Sequence, residues 1–234
     1  MVKLYKYKRF SDHLESIFAS QKIWFPTRVT LNDPEDLQLE LINDVGADVY
    51  RQHLLNQAKR ESWPSKERKY NLRKAFSPRG NLTPGAMQKI ASSQIMLQNY
   101  LDGLGILSLS EKEDSHVLWE RYGDEERGIC ITFNMELSEH LLKVEYATPR
   151  PQLKLSHLLL SPDAEEEILK VLKTKSMKWS DESEWRYFIR NGNTEFSFLG
   201  AVESVKLGKK MPGADREKIV EWVVKCGRQI LIEE

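Results

Sequence analysis

Glu182, Glu184 and Arg186 stand two residues apart in the stretch SDESEWRYFI at 180–189, with Trp185, Tyr187 and Ile189 between and after them. Side chains on a β-strand alternate faces with period two. A strand here gathers two carboxylates and a guanidinium on one face and three large apolar groups on the other. Such carboxylates can do glycosyl chemistry: one holds a sugar hydroxyl or faces an oxocarbenium-like centre, and the other activates a nucleophile. The competing reading is structural, an ion-paired sheet face turned to solvent.

Three further groups could carry chemistry. In HVLWERYGDEERGICITF at 116–133, Trp119 and Tyr122 are three apart and share a face of a helix. They could line a pocket for a planar ring by stacking or cation–π contact, or simply pack a helix onto a sheet. In LNDPED, Asn32 and Asp33 could touch a ligand from a loop, although Asp33 as N-cap and Pro34 at the first helical position also spell a helix start. Segment 59–79 holds Lys59, Arg60, Lys66, Arg68, Lys69, Arg73, Lys74 and Arg79 against Glu61 and Glu67, a local net of +6, with Trp63 and Tyr70 among them. Cations interleaved with aromatics can bind phosphates and stack bases, whereas charge runs also serve as solvated helix faces.

Other chemistry finds no motif. The five histidines (13, 53, 116, 140 and 157) have no ligand spacing, and Cys130 and Cys226 form no CxxC pair, so no metal site is expected. There is no dinucleotide or P-loop glycine pattern and no HExxH or GxSxG. Cys130 lies in an apolar run and reads as a buried thiol.

The elements that must position these residues follow from the pattern. Residues 3–8 read as a strand, 11–21 as a short helix with Asp12 and Glu15 as a capping box, and 22–26 as a second strand. From 34 to 102 the chain reads mainly as helix, broken at WPS (63–65) and SPRGNLTPG (77–85). Strands follow at 105–110, 128–133, 141–147, 184–189 and 202–208. A helix at 160–175 is capped by Ser161, and a last helix closed by Gly227 precedes a final strand. The expectation is an α+β fold, one domain over 1–234, with a central mixed, split β-sheet and a helical insertion at about 34–102 after the second strand.

With 35 basic and 35 acidic residues the formal charge is zero, so no global field steers the chain to nucleic acid or membrane. The start MVKLYKYKRF lacks the apolar run of a signal peptide, and no stretch approaches the ~20 apolar residues of a membrane helix. A soluble cytoplasmic protein with no membrane partner is the expectation.

The ordered set LYKYKRF, KIWFPTRVTLNDPED, GILSLSEKEDSHVLWERYGDEERGICITF, KTKSMKWSDESEWRYFI and VESVKLG resembles a bacterial family known only as a domain of unknown function, with LYKY, NDP, WxxY…GxCxxF and K…W..E.EWR blocks. The resemblance spans nearly the whole chain outside about 45–100 and implies no activity by itself. At the level of fold the chain is also similar to the ADP-ribosyltransferase superfamily, which opens strand–helix–strand and carries a catalytic Glu, sometimes in an ExE triplet, on a later strand. Here ESE supplies Glu182 and Glu184, and Arg9 or Lys8 ends the first strand. No STS-type motif follows that strand, and the tail from 202 to 233 lies outside that fold.

This second resemblance implies an enzyme that takes NAD as substrate and transfers ADP-ribose to nucleic acid or protein, as a toxin or phage-defence effector, with an antitoxin or defence-system partner. Glu184 would be the catalytic carboxylate and Glu182 would orient the acceptor. Arg186 or Arg9 would hold the diphosphate, Trp119 or Tyr122 would stack on nicotinamide, and Asn32 would lie at the rim. Two alternatives stay open. One is a non-catalytic nucleic-acid-binding module using Arg60, Lys66, Arg68, Lys69, Arg73 and Lys74; the other is a metal-dependent toxin nuclease.

Overall fold

The computed structural model describes residues 1–31, 37, 41–149, 151–198 and 200–233. In chain order the strands are β1 (Val2–Lys8), β2 (Lys22–Phe25), β3 (Leu41–Ile42), β4 (Gly105–Ser110), β5 (Ile129–Met135), β6 (Leu141–Lys143), β7 (Glu145–Ala147), β8 (Leu153–Lys154), β9 (Thr174–Ser176), β10 (Glu184–Ile189), β11 (Thr194–Ser197), β12 (Gly200–Leu207) and β13 (Leu231–Glu233). The helices are α1 (Glu15–Ser20), α2 (Ala47–Arg60), α3 (Ser65–Ala75), α4 (Pro84–Asp102), α5 (His116–Arg121), α6 (Leu155–Leu160), α7 (Ala164–Leu172) and α8 (Gly213–Lys225). They form two compact units: residues 1–33, 104–148 and 175–234 make the first, and 34–103 with 149–174 make the second.

The first unit is an α+β fold built on a seven-stranded sheet in the order β13-β12-β5-β1-β4-β10-β6. It is mixed: β12 and β13 run parallel, and the other neighbours are antiparallel. Strand alternation gives the sheet two unlike faces. On one, Leu4, Leu107, Leu109, Ile131, Phe133, Tyr187 and Val205 are buried under Ile17 and Phe18 of α1 and Ile219 and Trp222 of α8. The other face carries Tyr5, Tyr7, Ser110, Cys130, Thr132, Glu184, Arg186 and Ser204, also buried.

Polar groups out of water need partners. On that second face Ser204 Oγ donates to Thr132 Oγ1 at 2.9 Å. Tyr7 Oη donates to the carbonyls of Lys112 and Glu113 at 2.9 and 2.8 Å and accepts from the Ser115 N–H at 3.1 Å. Ser115 caps α5. The tyrosines of the opening KLYKYK thus fix the loop that aims α5 across the polar face, and Trp119 of α5 packs edge-on to Tyr7, ring centroids 5.2 Å apart.

The sheet is split where β1 meets β4. These strands pair only at Tyr5 and Ser110, whereas β1 pairs β5 over seven positions and β4 pairs β10 over six. Lys6 Nζ reaches the Ser108 carbonyl at 2.7 Å.

The second unit is mainly helical, with a two-stranded parallel pair β3–β8. Tyr50, Leu54 and Ala58 of α2 recur every four residues and are buried. Thr83 caps α4 through its hydroxyl, Pro84 stands at its first position and Gly103 ends it. Among the described residues no helix is long and apolar enough to cross a membrane.

Several elements differ from expectation. The Asp12–Glu15 capping box does not form; a 3₁₀ turn at Asp12–Leu14 leads into α1 instead. β2 leaves the main sheet and pairs with β11, a strand that its polar sequence concealed. The run 141–147 breaks at Val144 into β6 and β7. The helix expected at 160–175 is α7, capped by Asp163 and not Ser161, with α6 before it and β9 after it. The helix start expected at Asp33 and Pro34 lies outside the described residues.

One glycine ties β1 to β5. A methyl group at Gly128 would lie 2.1 Å from the Lys8 carbonyl oxygen, a backbone atom with nowhere to go. Gly128→Ala is expected to cost about 1–3 kcal/mol of unfolding free energy, read as a lower urea midpoint with an unchanged slope.

Candidate active site

The site grows from the start of β10. Residues Met177–Glu182 form a 3₁₀ helix, and Ser183 takes a left-handed conformation (φ 47°) that turns the chain into the strand. Glu182 therefore does not share the strand face with Glu184, as period two predicts; it reaches the same place from the turn before the strand. Glu184 and Arg186 do share that face, with Trp185, Tyr187 and Ile189 on the apolar side.

Three anchors fix the turn. Ser110 Oγ donates to the Glu182 carbonyl at 2.6 Å. The Glu111 N–H donates to the Ser183 carbonyl at 3.0 Å. The Glu184 N–H donates to Tyr146 Oη at 2.8 Å.

Lys175 on β9 joins the two carboxylates. Its Nζ lies 2.6 Å from Glu182 Oε2 and 2.8 Å from Glu184 Oε2. Arg186 grips Glu184 from the other side, Nε to Oε1 at 2.9 Å and Nη2 to Oε2 at 3.3 Å. Tyr122 Oη donates to Glu182 Oε1 at 2.8 Å, and Arg121 Nη1 stands 3.5 Å from the same oxygen and 3.3 Å from Asp181. Two cations and two anions at the centre cancel. Arg186 is 0 % exposed and Glu184 3 %.

The electrostatics follow from this packing. Burial pushes the Glu184 carboxyl up, but Arg186 and then Lys175 outweigh it and hold it at about 2. It is ionised at neutral pH and too weak a base to take a proton there. Of the roughly four acceptor directions of a carboxylate, Glu184 fills three among the described residues, and the fourth is on Oε1. The Tyr122 hydroxyl is pushed well above the usual phenol range by burial and by the Glu182 charge. Burial, with Lys8 beside it, lowers Lys6 to about 8 against the pull of Glu184 and Glu182.

The outer side is built by Trp179. Arg121 Cζ lies 4.8 Å from its ring centroid, Lys175 Nζ 5.3 Å and Lys178 Nζ 5.4 Å. Its indole Nε1–H is buried with no acceptor among the described residues. Arg121, Asp181 and half-buried Tyr122 stand at the surface beside it.

Of the residues singled out in the sequence, Tyr122, Glu182, Glu184 and Arg186 come together. Trp119 does not: it is buried with Tyr5, Tyr7, Leu118 and Cys130, its ring edge-on to Tyr7. Arg186 is sealed against Glu184, not open to a diphosphate. Arg9 stands exposed past the end of β1, four residues beyond Tyr5, the residue level with Ser110 and Glu184. That sets its backbone roughly 13 Å along the strand from the level of Glu184. Asn32 and Asp33 lie outside the described residues. Arg60, Lys66, Arg68, Lys69, Arg73 and Lys74 are all exposed. Cys130 is buried, its thiol pushed up to about 12 by that burial.

Sequence reasoning missed Lys175, Tyr146, Ser110 and Trp179, and placed Arg121 with Trp119 and Tyr122 only as a pocket-lining group. The K…W..E.EWR block held the signal for Lys175 and Trp179, but KTKSMKW offers three lysines, and only the short strand β9 selects the middle one. Among the described residues no three His, Cys, Asp or Glu side chains group as a metal would require, and the Lys175 ammonium fills the space between the two carboxylates. That donor set does not fit a two-carboxylate metal nuclease.

Residues 118–187 match the model of a family described as "Protein of unknown function (DUF2971)". The matched window runs from Leu118 in α5 to Tyr187 in β10. It contains Arg121, Tyr122, Tyr146, Lys175, Trp179, Glu182, Glu184 and Arg186, so the similarity covers nearly the whole cluster. It supports the likeness to a family of unknown function drawn from the sequence blocks. No curated protein and no solved structure matches the chain.

Lys175→Met leaves two buried carboxylates facing each other, and breaking a buried pair in this way costs about 3–5 kcal/mol. The Glu184 contribution exists above the ordinary glutamate value of 4.5 and disappears as pH falls toward about 2. Urea titrations of wild type and Lys175→Met are therefore expected to differ most at neutral pH, with the gap closing below about pH 4.5.

Proposed function

We propose that this protein cleaves the nicotinamide–ribose bond of NAD and transfers ADP-ribose to an acceptor, with Glu184 as the catalytic carboxylate. The observation that carries this reading is a carboxylate kept ionised while almost wholly buried, beside a seam where the sheet pairs at one position only. Rupture of an N-glycosidic bond builds positive charge on the ribose, and a fixed negative charge in a dry site stabilises it. Glu184 needs no proton transfer for this role, so a value near 2 suits it. The last acceptor direction on Oε1 suits a ribose hydroxyl.

The step balances without a cofactor held by the protein. The bond from ribose C1′ to the pyridinium nitrogen breaks, and its electron pair leaves with nicotinamide, which becomes neutral. An acceptor lone pair bonds to C1′, and the acceptor proton passes to Glu182. Tyr122 steers Glu182 through its hydroxyl. Arg121, at the open side, suits the diphosphate, the role that sequence reasoning gave to Arg9 or Arg186. Tyr122 alone is left to meet the nicotinamide ring. A cytoplasmic toxin or phage-defence effector, restrained by a partner protein, is the biological setting of this reading.

The test incubates the protein with NAD labelled in the adenylate, together with DNA, RNA or cell lysate. Released nicotinamide and labelled acceptor are expected, with a loss of ~10²-fold or more in Glu184→Gln and a smaller loss in Tyr122→Phe. Circular dichroism of each variant separates lost chemistry from lost fold. Unmoved label, no nicotinamide and no calorimetric heat with NAD would overturn the proposal.

A further inference from the structure

The second unit carries a surface that the cluster does not use. Every one of the eight cations of 59–79 is exposed, and no ion pair among the described residues engages any of them. Unneutralised like charges on one short helix repel each other, so α3 is more comfortable with a polyanion against it. Lys66, Lys69 and Arg73 recur at three- and four-residue steps and form one stripe. Tyr70 lies in the same stripe, 62 % exposed, with Lys74 Nζ 5.9 Å from its ring centroid. An aromatic face left open between cations is unsuited to a purely ionic partner and suited to a base.

Next to this stripe is an open groove of about 550 Å³ between α2, α3, α4 and α6. Lys74, which borders Tyr70, also lines the groove, and Lys89 lines it from α4. Tyr50, His53, Ile90 and Leu155 supply aromatic and aliphatic wall. The Tyr50 and His53 rings lie nearly parallel, 5.9 Å apart at 21°. The volume falls in the range of small-ligand sites, and apolar walls with cations at the edge match a base still attached to its phosphate.

We infer that the second unit binds single-stranded nucleic acid, its phosphates on the Lys66–Lys69–Arg73 stripe, one base on Tyr70 and the next in the groove between Lys74 and Lys89. A duplex keeps its bases stacked and offers none to Tyr70 or the groove, so the single strand is the ligand these observations select. The inference does not depend on NAD chemistry.

Fluorescence anisotropy of a labelled single-stranded oligonucleotide of about 12 nucleotides, DNA and RNA, tests it with the full chain. Binding at about 50 mM salt is expected, weakening with a log–log slope near −2 as three phosphate contacts are screened. The charge-reversed variant Lys66→Glu/Lys69→Glu/Arg73→Glu is expected to abolish it. Tyr70→Ala, which leaves every charge in place, should lose roughly 5- to 150-fold, the range of one stacked base. Gly85→Trp, placed where an added side chain meets open space at the groove, should weaken single-strand binding with no loss of fold by circular dichroism. Absence of binding at low salt overturns the inference, as does equal affinity in the charge-reversed variant. If duplex, heparin or anionic vesicles compete equally and Tyr70→Ala and Gly85→Trp bind like wild type, the surface is merely cationic and the base-binding claim falls.

Discussion

One ammonium group holds the charged centre together. Lys175 Nζ touches a carboxylate oxygen of Glu182 and one of Glu184 at hydrogen-bond distance, and without it those carboxylates repel in a place that water barely reaches. Everything around it follows from that bridge. The 3₁₀ turn and the left-handed Ser183 bring Glu182 round to meet it, Ser110 and Tyr146 pin the backbone on either side, and Tyr122 saturates the far oxygen of Glu182. Arg186, entirely buried, balances the remaining charge.

A buried ion network of this kind is an inefficient way to stabilise a protein, since apolar groups of the same volume usually do as well or better. The opposite face of the same sheet shows the efficient way: Leu4, Ile131, Phe133, Leu107 and Val205 under α1 and α8. The two faces divide the labour. The aliphatic face holds the strands rigid, and that rigidity keeps the charges of the other face at fixed distances, as a preorganised electrostatic site requires. The tyrosines of β1 link the faces to the periphery, because Tyr7 fixes the loop before α5 and α5 delivers Arg121 and Tyr122.

Much of this could be read in the sequence. Period-two alternation located β10 and both of its faces, and helix breakers located the interruptions at WPS and SPRGNLTPG that separate α2, α3 and α4. The ESE triplet and Tyr122 were legible because strand and helix spacing place them. The rest depended on tertiary contact. Glu182 joins Glu184 through a turn that no periodicity encodes. Lys175 is one of three lysines in seven residues, told apart only by a three-residue strand. Trp119 has the composition of a ligand-stacking residue, yet Tyr7, 112 residues away in sequence, claims its ring. Arg9 looked well placed at a strand end, and only the register of β1 against β4 shows that its backbone lies four residues beyond the level of Glu184. β2 and β11 pair outside the main sheet, a choice made by distant partners and invisible in either segment alone.

The cluster holds Glu184 as a carboxylate inside the folded protein. Carbon-detected NMR of glutamate-labelled protein reads it directly, with the Glu184 carboxyl resonance assigned by its absence in Glu184→Gln. This resonance is expected to keep its ionised position on acidification for as long as the amide spectrum stays folded, consistent with a value of about 2. A Glu184 resonance that titrates at the ordinary glutamate value of 4.5, or above it, in the folded protein would contradict the account.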